Sequence, residues 1–229
     1  MSIKTCLLAA LTTTIAQTTP VSVSPVSVSN LVTGPQSHVR LTNTASQPVT
    51  AWSLAITTTS RDSNRTHREV ETADGYLSEV TQGLPGSSAR LERLMPGQSR
   101  EISLDPLPDG ARVEIVAAVL DDETAFGAEE FLGPIFAKRA VERDALKAVV
   151  DTFRDVAAES RGPQAVEALQ RRLSALSERD NGLVCRAALD AVQSMSKKTD
   201  PTDIDRSLEN YASFVKREYD LALKHARRR

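Results

Sequence analysis

Aromatic residues are scarce in this chain: one tryptophan, three tyrosines and five phenylalanines among 229 residues. Carbohydrate-binding faces and single-stranded nucleic-acid platforms rest on rows of stacked rings. The first half offers only Trp52, Tyr76, Phe126 and Phe131, so both classes lose support. Histidine is rarer still. His38, His67 and His225 fall in an apolar-alternating stretch, a polar stretch and a basic tail, and none has a partner at zinc-ligand spacing. The G-x-S-x-G elbow is missing around Ser87-Ser88, and no glycine-rich phosphate loop occurs. Strong charge of one sign is missing too. The formal net charge is -2, too small to draw the chain to nucleic acid or an anionic membrane. Beyond the N-terminus no uncharged apolar run approaches the ~20 residues of a membrane-spanning helix. No catalytic, cofactor-binding or metal-binding residue is assigned from the sequence, and no cofactor is implied.

Cysteine is limited to Cys6 and Cys185, and Cys6 lies in a segment of its own character. Lys4 is followed by the uncharged, small and apolar run Thr5 to Ala16, and Thr14-Ile15-Ala16 carries the small residues a signal peptidase reads. Residues 1–16 are therefore expected to be a cleaved signal peptide; a buried first strand is the alternative. After cleavage Cys185 would have no partner for an internal disulfide, which a chain with a large core does not need.

What is present changes texture near Gly133-Pro134. Residues 1–133 hold 9 Lys/Arg and 15 Asp/Glu, net -6, and residues 134–229 hold 19 and 15, net +4. The two halves thus carry complementary charge. The first is rich in Val, Thr, Ser, Gly and Pro. Val21 to Val28 alternates Val with Ser around Pro25, as an edge strand does. Further strands are predicted at 37–43, 49–57, 76–80, 89–94, 100–104 and 112–120, separated by turn signals such as Asp74-Gly75, Met95-Pro96-Gly97 and Pro108-Asp109-Gly110. Arg61 to Thr72 is polar without a period and reads as an exposed loop. About seven short strands argue for an antiparallel sandwich.

Leu41-Thr42-Asn43-Thr44, Pro48 to Trp52 and Leu94-Met95-Pro96-Gly97-Gln98-Ser99 carry a resemblance to bacterial extracytoplasmic immunoglobulin-like domains over about residues 20–120. Such domains place turn, proline and alternating strand in this order. The resemblance implies a sandwich fold, an extracytoplasmic address and a role in binding or spacing. The paired cysteines of antibody domains are missing here, and only Trp52 fits their pattern.

From Glu129 onward apolar residues recur at helical spacing: Leu146, Val149, Val150, Phe153 and Val156; then Val166, Leu169, Leu173 and Leu176; then 183–196; then Ile204, Leu208, Tyr211 and Val215. Arg161-Gly162-Pro163, Asp180-Asn181-Gly182 and Asp200-Pro201 punctuate four helices. The expected fold is a two-part α+β chain: an immunoglobulin-like β-sandwich over 20–128, then a helical region of about four helices over 129–229.

The densest carboxylate group is Asp121, Asp122, Glu123, Glu129 and Glu130. It lacks the alternating order of a calcium loop and reads as a polar turn followed by acids at a helix start. Cys185 sits among Val184, Ala187, Ala188 and Leu189 and reads as a buried thiol. Asn64-Arg65-Thr66 matches a glycosylation sequon, and Lys224 to Arg229 reads as a solvated basic helix end. The first expectation for function is a non-enzymatic, extracytoplasmic or envelope-associated interaction module with a protein partner. The edge at 21–28 would serve for strand addition. The alternatives are a metal-dependent hydrolase using the 121–130 turn and a cytoplasmic scaffold without a signal peptide.

Overall fold

The computed structural model describes residues 24–60, 65–77, 93–178, 182–198 and 200–226, and its strands precede its helices. The described strands are β1 (Val26–Val32), β2 (His38–Asn43), β3 (Val49–Thr59), β4 (Thr66–Asp74), β5 (Ser99–Ser103), β6 (Arg112–Leu120) and β7 (Ala125–Gly127). They form two antiparallel sheets, ordered β1-β2-β5 and β4-β3-β6-β7. Period-two alternation explains the shared core. In β2, Val39 and Leu41 point inward and meet Trp52, Leu54 and Ile56 of β3 and Ala118 of β6 in one buried cluster.

Strand β3 differs from the other strands, being buried without a break from Val49 to Ile56. Its second face carries small residues, and Ala51 with Ala117 and Val119 of β6 packs against Leu132 and Ile135 of the first helix. A sheet covered on both faces loses the alternation that exposes one side to water. The four-stranded sheet is thus the middle layer, with the three-stranded sheet on one side and a helix on the other.

The helices are α1 (Glu129–Glu159), α2 (Gly162–Ser177), α3 (Gly182–Met195) and α4 (Pro201–His225). Asp200 caps α4 by accepting the Thr202 N–H at 2.8 Å. Phe153, Leu169, Leu173, Val192, Ile204 and Val215 meet in a second core, which Tyr76 joins from the turn after β4. Gly133 and Pro134, where composition changes, lie within α1. Pro134 lies inside α1, past the first turn, and having no N–H it leaves the Glu130 carbonyl without its ladder donor.

Several boundaries depart from the sequence reading. β1 starts at Val26, after Pro25, and residues 21–23 lie outside the described residues, as do the expected signal peptide at 1–16 and most of the expected strand at 89–94. Of the stretch 61–72, read as loop, residues 61–64 lie outside the described residues and 66–72 belong to β4. Its side chains are mostly exposed at the sheet edge, so no buried face imposed a period on them. Tyr76 and Leu77, read as the start of a strand, lie in a turn, and residues 78–80 are outside the described ones. Residues 125–127, read as turn, form β7, held to β6 through pairs such as Ala118 with Phe126.

Candidate functional site

Two features meet where the sheets join the helices: a buried charge cluster and, next to it, an apolar cleft. The cluster centres on Arg139 of α1, which is fully buried. Its Nε and Nη2 donate to the two carboxylate oxygens of Asp74, at the end of β4, at 3.0 and 2.8 Å. Nη1 donates to Glu123 Oε2 at 3.1 Å and to the His225 carbonyl at 3.2 Å. Nη2 also reaches Thr50 Oγ1 at 3.1 Å, and that hydroxyl donates to the Val119 carbonyl at 3.1 Å. The Tyr76 ring lies under the guanidinium, 4.7 Å from centroid to Cζ. A buried guanidinium is stable only when all its donors are matched, and here two carboxylates, a carbonyl and a hydroxyl match them.

His225 closes this cluster from the last turn of α4. Its Nδ1 lies 2.5 Å from Glu123 Oε1, while Nε2 is buried without a hydrogen-bond partner among the described residues, 3.8 Å from Asp121. Glu123 adopts a left-handed backbone, φ 69°, which a glutamate accepts only when its surroundings hold it there. Arg139 and His225 provide that hold. The cluster joins β3, β4, the β6–β7 turn, α1 and α4 in one polar knot.

Tyr76 links the knot to the cleft. Its hydroxyl donates to Glu142 Oε2 at 2.8 Å, one helical turn beyond Arg139 on α1. Burial, and then the Glu142 charge, push the tyrosine pKa well up, so the hydroxyl stays protonated as the donor. The cleft, about 400 Å3, opens between α1, α3 and α4. Helical spacing builds its walls: Glu142, Leu146 and Val149 share one face of α1, and Tyr211, Phe214, Val215 and Glu218 share one face of α4. Leu183 and Ala187 of α3 stand exposed at its rim, and Leu183 keeps 83% of its surface in solvent.

The cleft carries the most perturbed acid of the described residues. The Glu218 carboxyl is pushed up to about 7, first by burial and then by the Glu142 charge. Among the described residues it has no hydrogen-bond or ion-pair partner. Tyr211 is raised to about 12, by burial first and then by Glu218 and Asp190. Glu142 is better matched, since Lys138 Nζ lies 3.4 Å from its Oε1.

The residues singled out in the sequence fall elsewhere. Asp121 pairs with Arg93 and with Lys224, the latter at 2.9 Å. Asp122 accepts from Gln47 at 3.0 Å and from the Thr124 N–H, which holds its carboxyl below the usual range. Glu123 turns into the buried knot, while Glu129 and Glu130 start α1. Asp121, Asp122 and Glu123 are thus taken up by bonds to Arg93, Lys224, Gln47, Arg139 and His225, away from Glu129 and Glu130 at the helix start. Among the described residues no three His, Cys, Asp or Glu side chains converge to hold a metal ion. His38 bonds the Gln36 carbonyl at 3.0 Å on an exposed face, and His67 is exposed on β4. Cys185 is a buried free thiol, raised by burial.

The basic end, read as a solvated terminus, departs from that reading at His225, which is fully buried because α4 returns to the sheets and brings its last turn onto Glu123; Lys224 stays exposed beside Asp121, and residues 227–229 lie outside the described residues. Glu142, Glu218 and Arg139 do not figure among the candidates the sequence offers. One signal pointed to them: each is a charge among the apolar positions of its helix, as Glu218 is beside Phe214, Val215 and Ala222. No protein-family model, curated protein or solved structure matches the chain.

Proposed function

We propose that this chain is a non-enzymatic binding module whose ligand site is the cleft between α1, α3 and α4. The observation that carries the reading is Glu218, an acid without a partner among the described residues, set in an apolar cleft of drug-like size. The rest of the molecule supports a carrier role. The Arg139 knot ties α1 and α4, two of the cleft walls, to the sheets. The sheet orders support an immunoglobulin-like sandwich, because β1-β2-β5 and β4-β3-β6-β7 correspond to the A-B-E and C′-C-F-G strands of that topology. The leader-like residues 1–16 favour an extracytoplasmic address.

The cleft is a better candidate than strand addition at β1. Pairing of β1 with β2 slips between Ser29 and Val32, where Asn30 has φ 51°. Such a bulge twists an edge away from an incoming strand.

The test uses Nile red, a neutral apolar dye whose emission rises in a dry pocket. The wild-type chain should bind it saturably, and Ala187→Trp, which fills the cleft from its exposed rim, should not bind it while melting at the wild-type temperature. Equal dye binding by both proteins would move the site elsewhere and remove the basis of the proposal.

A further inference from the structure

The walls of the cleft select among ligands. Of the described residues lining it, the only charged ones are Glu142 and Glu218, and none is a lysine or arginine. An anion entering there would meet two carboxylates. A sugar or other polyol would meet few donors or acceptors and a mostly aliphatic floor of Leu146, Val149, Ala188 and Val215. A bare dication would find two carboxylates and a phenol, well short of the six to eight oxygens calcium requires. The remaining features favour one chemistry. Tyr211 and Phe214 present neighbouring rings, 5.9 Å apart and inclined by 35°. The negative faces of such rings attract organic ammonium groups, most strongly where water is excluded.

The two carboxylates also repel one another across the cleft, and burial penalises the charge on Glu218. A single positive charge between Glu218 and the rings would relieve both effects. Lys138 reaches Glu142 from the outside but is not among the lining residues, so it does not fill that role for Glu218.

Accepting the cleft as the ligand site, we infer that its ligand is an amphiphilic ammonium compound, its cationic head held by Glu218, Tyr211 and Phe214 and its short aliphatic tail lying between α1 and α3. The head needs the ionised form of Glu218. Burial and the Glu142 charge set that ionisation; the other titratable groups nearby are Lys138 and Tyr76, which bond Glu142, Tyr211 on the same helix, and Asp190 on α3, which acts on Tyr211. The cation is therefore held more tightly as pH rises through about 7, where Glu218 loses its proton.

The experiment is calorimetric titration of the full chain with n-octyltrimethylammonium, n-octanol and n-octanoate at pH 6 and pH 8. At pH 8 the cation should bind about tenfold tighter than the alcohol, and octanoate should bind weakest. The preference for the cation over the alcohol should shrink at pH 6 and vanish in Glu218→Gln, which should still bind octanol. Octanol binding at least as tightly as the cation in wild type, or an undiminished preference in Glu218→Gln, would overturn the assignment of ligand class and leave the cleft as the site. Nile red displaced by none of the three compounds would also overturn it. Failure of Nile red itself to bind would instead remove the underlying reading.

Discussion

Replacing Glu218 with glutamine should make the protein more stable, and the gain should depend on pH in a defined way. The Glu218 carboxyl is raised from an ordinary 4.5 to about 7, chiefly by burial. The folded chain therefore holds this proton more tightly than the unfolded chain does. Below pH 4.5 both states are protonated and the residue makes no demand on stability. Between 4.5 and 7 the unfolded state ionises first, and stability falls with rising pH. Above 7 both are ionised and the loss stays constant. Each pH unit of that interval is worth about 1.4 kcal/mol, so the full loss is about 3 kcal/mol. Glu218 keeps part of its surface in solvent, and screening reduces this to roughly 1–3 kcal/mol. Glutamine, neutral throughout, avoids the loss. For a chain of this size the gap corresponds to roughly 3–10 °C in Tm. Thermal melts followed by circular dichroism, on wild type and Glu218→Gln in parallel from pH 4 to pH 8.5, read it directly. The two curves should coincide at pH 4, separate across the interval and run parallel above pH 7. A Glu142→Gln background should move that separation to lower pH, since the neighbouring charge is gone. A gap that does not grow with pH, or a variant less stable than wild type at pH 8, would refute the burial argument. A residue kept at a cost to stability is what a binding site requires.

The buried knot and the β7–α1 junction carry two further expectations. Arg139→Met strands Asp74 and Glu123 in the interior and should cost about 3–5 kcal/mol, measured as a drop in the urea midpoint at unchanged slope; a loss below about 1 kcal/mol would mean that water repairs the site. Gly127 has φ 121°, and a Cβ there would lie 2.2 Å from the Val116 carbonyl oxygen, so Gly127→Ala should destabilise by about 2 kcal/mol or more. Gly110→Ala, also at positive φ but facing open space, isolates the backbone strain and should cost clearly less in the same melts.

The fold was legible where one face of an element is buried and the other wet. Val39 and Leu41 announced β2, and the spacing of Leu146, Val149, Phe153 and Val156 announced α1. Strand β4 was not legible because its side chains face solvent on an edge, and Val70 is 40% exposed. Strand β7 was hidden because three residues are too short for a period to register. The site was hidden for a different reason. Glu142, Glu218 and Arg139 acquire their meaning from partners on other elements, and sequence spacing reports only neighbours on the same helix. His225 was misplaced on the same ground: a basic tail looks solvated until the helix carrying it is known to end against a sheet.

The partners of Arg139 are remote along the chain. Thr50 lies 89 residues away and the His225 carbonyl 86, while His225 and Glu123 are separated by 102. Contacts of such separation require large loops to close before they give any return, and topologies rich in them fold slowly. The guanidinium cannot be matched within either half: Asp74 and Glu123 come from the strands, the His225 carbonyl from the last helix. Helices α1 to α4 on their own would leave Arg139 without its two carboxylates, and the strands alone would leave Asp74 and Glu123 without their cation. Full pairing of the cluster therefore requires α4 to be docked on the β6–β7 turn.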